Sequence, residues 1–149
     1  MTFEDSVLVR GMPDVLFALT QDYGRRLEWD PFLRRAELVG GATQAGPGVR
    51  AWCVAHNGLG METEYVSFNP PSVAAVKMTR GPWFIGAFAG SWRFVPADDG
   101  RTRVVFRYAV RGLPAWLGAL LDPILARVFG REVRRRLQGL RDFTERPAA

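Results

Sequence analysis

Most of the chain alternates apolar and polar side chains with the two-residue period of β-strands, and its last part changes to the three- and four-residue steps of an amphipathic helix. Residues 3–10 predict a first strand. Gly11-Met12-Pro13-Asp14 breaks it and starts a short helix carrying Val15, Leu16, Phe17 and Leu19. Residues 23–27 predict one or two further helical turns, which Pro31 ends by disfavouring helix at Asp30. Residues 34–39 form a strand closed by Gly40-Gly41, and a glycine- and proline-bearing turn follows over 42–48. Strands at 49–56 and 61–68 flank an Asn57-Gly58 step that suits a hairpin turn. Strands at 72–80, 85–95 and 101–110 complete the series, separated by Gly81-Pro82 and Asp98-Asp99-Gly100.

Charges mark the wet side of each strand. Arg101, Arg103, Arg107 and Arg111 facing water place Thr102, Val104, Phe106, Tyr108 and Val110 on the inner face. Outward Glu62 and Glu64 leave Met61, Thr63, Tyr65 and Ser67 inside. Outward Lys77 and Arg93 do the same for Met78, Arg80, Trp92 and Phe94. Trp52 follows Arg50 outward unless a bulge intervenes.

The final helix is predicted over 122–145, with Asp122 as N-cap and Pro123 at its first position. Leu125, Val128, Phe129, Val133, Leu137 and Leu140 form its apolar stripe. At 1.5 Å per residue it is about 35 Å long, enough to span a sheet. Gly130 and Gly139 each weaken it by about 1 kcal/mol relative to alanine, which points to close packing or a bend. A straight helix cannot fill the concave side of a strongly curved sheet, so a cavity is expected between them, and ligand binding becomes the leading functional idea.

A chain of 149 residues with 48% hydrophobic content fits one domain, residues 1–149, that buries a core without staples. Its longest apolar runs fall well short of the roughly 20 residues a membrane span needs, and the amino terminus lacks a signal-peptide core, so a cytoplasmic protein is expected. One cysteine, Cys53, excludes an internal disulfide and a multi-thiolate metal site, and reads as a small buried hydrophobe. The net charge of +5 and pI near 10.3 would suit nucleic acid. The arginines are dispersed, however. Even the densest group, Arg131, Arg134, Arg135 and Arg136, lacks aromatic interleaving, zinc spacing or a helix-turn-helix pattern, so it reads as a solvated helix face and no nucleic-acid partner is expected.

The order of strand, two short helices, six strands and a long terminal helix resembles the START-like, or SRPBCC, superfamily, over nearly the whole chain. The Trp29-Asp30-Pro31-Phe32 segment that leads into the second strand matches as well. The resemblance implies an α+β helix-grip fold, a curved antiparallel sheet of about seven strands wrapped around the carboxy-terminal helix, with a hydrophobic cavity. Within the superfamily, Glu64-Tyr65-Val66-Ser67 and Gly81-Pro82-Trp83-Phe84 resemble the polyketide cyclase and dehydrase branch. Aromatase/cyclases of that branch use an inward arginine two residues after the serine, where this chain has Asn69.

Aldol cyclisation and dehydration need a base and a donor for the enolate oxygen. Tyr65, Ser67, Arg80 and Tyr108 are the candidate catalytic donors, with Arg80 a substitute for the missing cation. The plainer alternative makes the two tyrosines core residues and lets Arg80 reach solvent. No base is evident. His56 sits in a hairpin turn, Asp30 reads as a turn residue before proline, and no carboxylate falls on the inner face. One histidine, one cysteine and outward glutamates offer no metal cluster, and no phosphate loop or nucleophile elbow is present.

Trp29, Trp92, Phe94 and Phe106, with Met78, Leu125 and Phe129, are candidate ligand-binding walls, together with Tyr65, Ser67, Asn69, Arg80 and Tyr108 as the polar part. Gly86, Ala87, Ala89 and Gly90 leave room or mark a bend. Truncating Trp92 is expected to distinguish a ligand wall from a filled core. The favoured reading is a binder of a hydrophobic lipid, isoprenoid, quinone or aromatic polyketide-like molecule, without metal or cofactor. An aromatase/cyclase is the alternative. A third reading is peripheral membrane or protein contact through Pro114-Ala115-Trp116-Leu117 and the helix arginines.

Overall fold

A computed structural model describes residues 2–112 and 115–145, the side chains of 115–119, 121, 122, 125 and 126 excepted. Its order is β1 (Thr2–Arg10), α1 (Pro13–Gln21), α2 (Arg26–Trp29), β2 (Leu33–Leu38), β3 (Arg50–Ala55), β4 (Gly60–Asn69), β5 (Val73–Arg80), β6 (Ile85–Pro96), β7 (Arg101–Gly112) and α3 (Ala115–Thr144). The seven strands form one antiparallel sheet in the order β1-β7-β6-β5-β4-β3-β2. Consecutive strands from β2 to β7 pair as hairpins, and β1 closes on β7, so α1 and α2 carry the chain from one edge of the sheet to the other. This curled sheet with its terminal helix is the helix-grip architecture that the element order implied.

The assigned faces hold along β7, where Thr102, Val104, Phe106, Tyr108 and Val110 are buried and Arg101, Arg103, Arg107 and Arg111 are exposed. They fail in β4. Tyr65 pairs with Val76 but Ser67 pairs with Ala75, so Val66 is an extra residue that inverts the alternation beyond it. Ser67 is therefore exposed, and Phe68 turns inward to meet Phe17 and Tyr65 with ring centroids 5.2 and 5.3 Å apart. A second irregularity leaves Thr79 unmatched between Glu62 and Thr63. Glu62, expected in water, is buried there and accepts a 2.8 Å hydrogen bond from the Thr79 hydroxyl. A third falls at Gly86 in β6. Such bulges increase the bend and twist of a sheet.

The helices differ from expectation at their ends. α2 spans Arg26–Trp29 rather than 23–27, which places Trp29 inside it and Asp30 at its extended carboxy-terminal cap. α3 starts at Ala115, so Pro123 lies within the helix and Asp122 does not cap it. The Asp-Pro pair imitates a helix start, but the leucines and alanines before it favour helix strongly enough to run through. Val133, Leu137 and Leu140 are buried against the sheet, while Val128 of the same stripe is 55% exposed. The core joins these side chains to Val7, Val9, Leu16, Phe17, Trp29, Trp92, Phe94, Val104, Phe106 and Tyr108.

Both helix glycines mark close approaches. A methyl group at Gly139 would lie 2.5 Å from the Trp29 carbonyl oxygen and 2.7 Å from Pro31 Cδ. At Gly130 it would meet the Tyr108 hydroxyl at 3.0 Å. Gly139→Ala is therefore expected to destabilise the protein despite the roughly 1 kcal/mol helix gain of alanine, because overpacking against backbone costs about 1–3 kcal/mol. The readout is the urea midpoint, and an unchanged or raised midpoint would contradict the close approach.

Candidate ligand-binding site

A cavity of about 380 Å³ lies between the concave face of the sheet and α3, within the range of roughly 300–1,000 Å³ typical of small-molecule sites. Val76, Ile85, Phe88, Trp92 and Phe106 supply its wall on the sheet side, and Phe129 and Val133 on the helix side. Cys53, Ala55, Met61, Thr63 and Tyr65 extend the lining over β3 and β4. Leu59 and Val128 also belong to the lining and are 44% and 55% exposed, so the cavity opens between the β3–β4 hairpin and the middle of α3.

The lining also includes Gln21, Tyr23, Arg26 and Arg136, which group with Tyr65 around Asp30. Asp30 Oδ2 accepts from Arg26 Nε at 2.9 Å and from Arg136 Nε at 3.0 Å, and Oδ1 accepts from the Phe32 amide at 3.1 Å. Arg26 Nη1 donates to the Thr20 carbonyl at 3.1 Å. The Arg26 guanidinium lies over the rings of Trp29, Tyr23 and Trp92, at 4.9, 5.5 and 5.7 Å from their centroids. Arg136 lies over Phe32 and Phe106. Tyr65 donates to Gln21 Oε1 at 2.6 Å, with the Tyr23 hydroxyl 3.5 Å away.

Burial acts on every titratable group here. It would raise the Asp30 carboxyl, but the charges of Arg136 and Arg26 and the hydrogen bonds from Arg26 and Phe32 hold it below its usual value. Burial would lower Arg26, and Asp30 with Tyr23 and Cys53 raises it instead. The phenols of Tyr23 and Tyr65 and the thiol of Cys53 are all pushed up, chiefly by burial, so they remain protonated at neutral pH. The site thus offers hydrogen-bond donors and fixed positive charge rather than a nucleophile. Among the described residues no group of three or more His, Cys, Asp or Glu could hold a metal, and no helix is long and apolar enough to cross a membrane.

The family model described as "Polyketide cyclase / dehydrase and lipid transport" matches residues 1–145. The chain belongs to this family. The Zhui aromatase/cyclase from Streptomyces sp. R1128 is similar in structure at TM-score 0.80, with 18% identity over 98% of this chain and 94% of that one. A START superfamily protein from Mycobacterium smegmatis gives 0.79, with 11% identity over 97% of both chains. The di-domain ARO/CYC BexL from the BE-7585A biosynthetic pathway gives 0.77 at 16% identity, and this chain, matched over 97% of its length, spans only 46% of it. No curated protein matches the sequence.

For a member of the polyketide cyclase/dehydrase and lipid transport family, the polar positions anticipated on the strands are displaced. Ser67, Asn69 and Arg80 are exposed and line no part of the cavity, Ser67 because of the Val66 bulge and the other two because they end their strands. Tyr65, Trp92, Phe106 and Phe129 do line it. Phe94 and Tyr108 are buried in the core, Trp29 lies behind Arg26, and Met78 is half-buried at the end of β5; none of these four belongs to the lining. The side chain of Leu125 lies outside the described residues, as do Pro114 and the side chains of Ala115, Trp116 and Leu117. Trp52 does not line the cavity, and His56 is exposed in the hairpin.

Trp92 is both wall and core. Its ring meets those of Trp29, Phe94 and Phe106, so truncating it would remove packing and lining together and cannot separate the two roles. The missed residues carried a signal. Arg26 and Asp30 are four apart, the spacing of a helical ion pair. Arg136 is three residues after Val133 and four before Leu140, which puts a charge on the apolar stripe. It belongs to the buried side, with 15% side-chain exposure, unlike Arg134 at 76%.

Asp30→Asn would leave two buried guanidiniums without their counter-charge, a change that typically costs about 3–5 kcal/mol. Because the folded carboxyl titrates below the unfolded value of about 3.9, its stabilisation is complete above that pH and is lost as pH falls through the folded value. The gap between wild type and variant in urea denaturation should therefore be large at pH 7 and shrink below about pH 4. A gap independent of pH would contradict the ion pairing.

Proposed function

We propose that the protein binds a hydrophobic small molecule in the cavity between the sheet and α3. The observation that carries this reading is an apolar cavity of about 380 Å³, with a few donors grouped on one side. Aromatic and aliphatic walls gain affinity in proportion to the apolar surface removed from water, and a small number of polar groups fix orientation. The family, described by cyclases and dehydrases and by lipid transport, supports a ligand of lipid, isoprenoid or aromatic polyketide-like character.

A second reading, an aromatase/cyclase-type reaction, is favoured by the donors Tyr23, Arg26 and Arg136 in the same polar group. They could hold a developing enolate oxygen. The base is the weak point. Asp30 is committed to its two arginines, the phenols and the thiol are held protonated, and Glu132 on the lining pairs with Arg135 at 3.6 Å. Binding alone requires none of these groups to move a proton.

The neutral fluorophore N-phenyl-1-naphthylamine tests the binding reading. One equivalent should bind with enhanced, blue-shifted emission. Thr63→Trp, which places a large ring into the cavity from β4, should reduce that binding at least several-fold while keeping a cooperative urea transition. Absence of probe binding, or binding unaffected by the filled cavity, would sink the proposal. Turnover of a poly-β-ketone thioester by the wild type, abolished in Arg26→Gln, would favour the catalytic reading instead.

A further inference from the structure

We infer that the ligand is an amphiphilic acid, an apolar body carrying one anionic oxygen group, and that Arg26 and Arg136 receive that group. The inference rests on the reading of the cavity as a ligand site. Arg26 and Arg136 both line the cavity, and their side chains are only 5% and 15% exposed. They share one carboxylate, Asp30, whose own side chain is 0% exposed. Two cations against one anion leave this buried group with an excess positive charge.

That excess is not cancelled elsewhere on the lining. Among the described residues Glu132 is the one other carboxylate on the lining; its side chain is 24% exposed and it pairs with the outward Arg135. The hydrogen bonds show where capacity remains. Arg26 uses Nε on Asp30 and Nη1 on the Thr20 carbonyl, and Arg136 uses Nε and Nη2 on Asp30. Arg26 Nη2 and Arg136 Nη1 have no protein partner among the described residues, and neither is a fully buried orphan; the Trp29 indole nitrogen alone is. Each guanidinium thus keeps a donor group with some access, and the cavity is the space that both side chains line.

Aromatic rings make the arrangement tolerable when empty. Rings of Tyr23, Trp29 and Trp92 face Arg26, and Phe32 and Phe106 face Arg136, which lowers the cost of burying the excess charge without neutralising it. A planar carboxylate, phenolate or enolate suits guanidinium donors, which give charge-assisted hydrogen bonds about twice as strong as neutral ones. Tyr23, protonated, adds a neutral donor beside the same charge, while the Tyr65 proton is held by Gln21.

A matched pair of naphthalenes decides the matter. Binding of 2-naphthoate and 2-naphthalenemethanol to the wild type is measured by calorimetry at pH 8, with N-phenyl-1-naphthylamine as a neutral reference. The carboxylate should bind about tenfold to hundredfold more tightly than the alcohol, the range conferred by a hydrogen bond to a charged group. Arg136→Gln and Arg26→Gln should each cut that preference several-fold. Equal affinities, a preference for the alcohol, or reference binding without either naphthalene would overturn the inference and leave the cavity reading standing. A preference unchanged in both folded variants would overturn the role of the arginines. Failure of all three probes to bind would remove the cavity reading and the inference together. The wild-type comparison keeps the test decisive if a variant does not fold.

Discussion

Asp30 is the point on which the arrangement of helices and sheet depends. Its carboxylate accepts from Arg26 within α2, from Arg136 in α3 and from the amide of Phe32 at the start of the chain's passage into β2. Three segments far apart in sequence are thereby tied to one buried group. Ion pairs of this kind contribute little net stability, because the desolvation of three charges offsets most of their attraction. Their value lies in specificity, since a helix that slid or rotated along the sheet would leave a charge buried without a partner. Gly139 acts in the same place by steric means, bringing α3 against the Trp29 carbonyl and Pro31. Electrostatics and packing together fix α3 at its carboxy-terminal half, where Val133, Leu137 and Leu140 are buried.

Toward the amino-terminal half of the same helix, one apolar stripe faces solvent. Val128, Ile124 and Leu120 are 55%, 60% and 68% exposed although all three are apolar. The cavity occupies the space between the curved sheet and the middle of this helix. The bulges at Val66 and Gly86 contribute by bending β4 and β6, and Gly90 lets the Phe106 ring settle against the β6 backbone, where a methyl group would meet it at 3.0 Å. One part of the concave face is filled by stacked aromatics, Phe3 on Tyr108 and Trp92 on Phe94. The rest is left open. Core and cavity are thus neighbouring regions of one surface, which is why Trp92 and Phe106 belong to both.

The architecture was legible because strand alternation and helical spacing report burial directly, and in β7 every second residue obeys the rule. The candidate site was legible only in its apolar part. Alternation counts residues, so one inserted residue at Val66 was enough to move Ser67 from the expected inner face to solvent. A bulge leaves no compositional mark in the Tyr-Val-Ser-Phe run that contains it. The polar cluster was missed for a different reason. Charge as a sign of the wet face is a rule that is sound for isolated residues and fails for charges that neutralise one another across a fold. Arg26, Asp30 and Arg136 each look like solvated residues alone, and become a buried group only when α2 and α3 meet. The Asp122-Pro123 pair misled in the opposite sense, offering a helix start where tertiary context continues the helix.

The hydrogen-bond chain beside the arginines assigns a direction to the polar part of the cavity. Thr20 donates its hydroxyl proton to the Phe17 carbonyl and therefore accepts from Gln21 Nε2, at 3.2 and 2.9 Å. That contact orients the Gln21 amide with Oε1 toward Tyr65, whose single phenolic proton is committed to it at 2.6 Å. Tyr65 is then left with oxygen lone pairs, while Tyr23, 3.5 Å away, keeps a proton held by no short hydrogen bond among the described residues. Tyr23 is thus the phenol able to turn its proton to an acceptor in the cavity, and Tyr65 fixes its surroundings. Among the described residues donors outnumber acceptors around this space, with two guanidiniums, a phenol and no free carboxylate at that end. A ligand that satisfies it must present electron-rich oxygen there and hydrocarbon elsewhere.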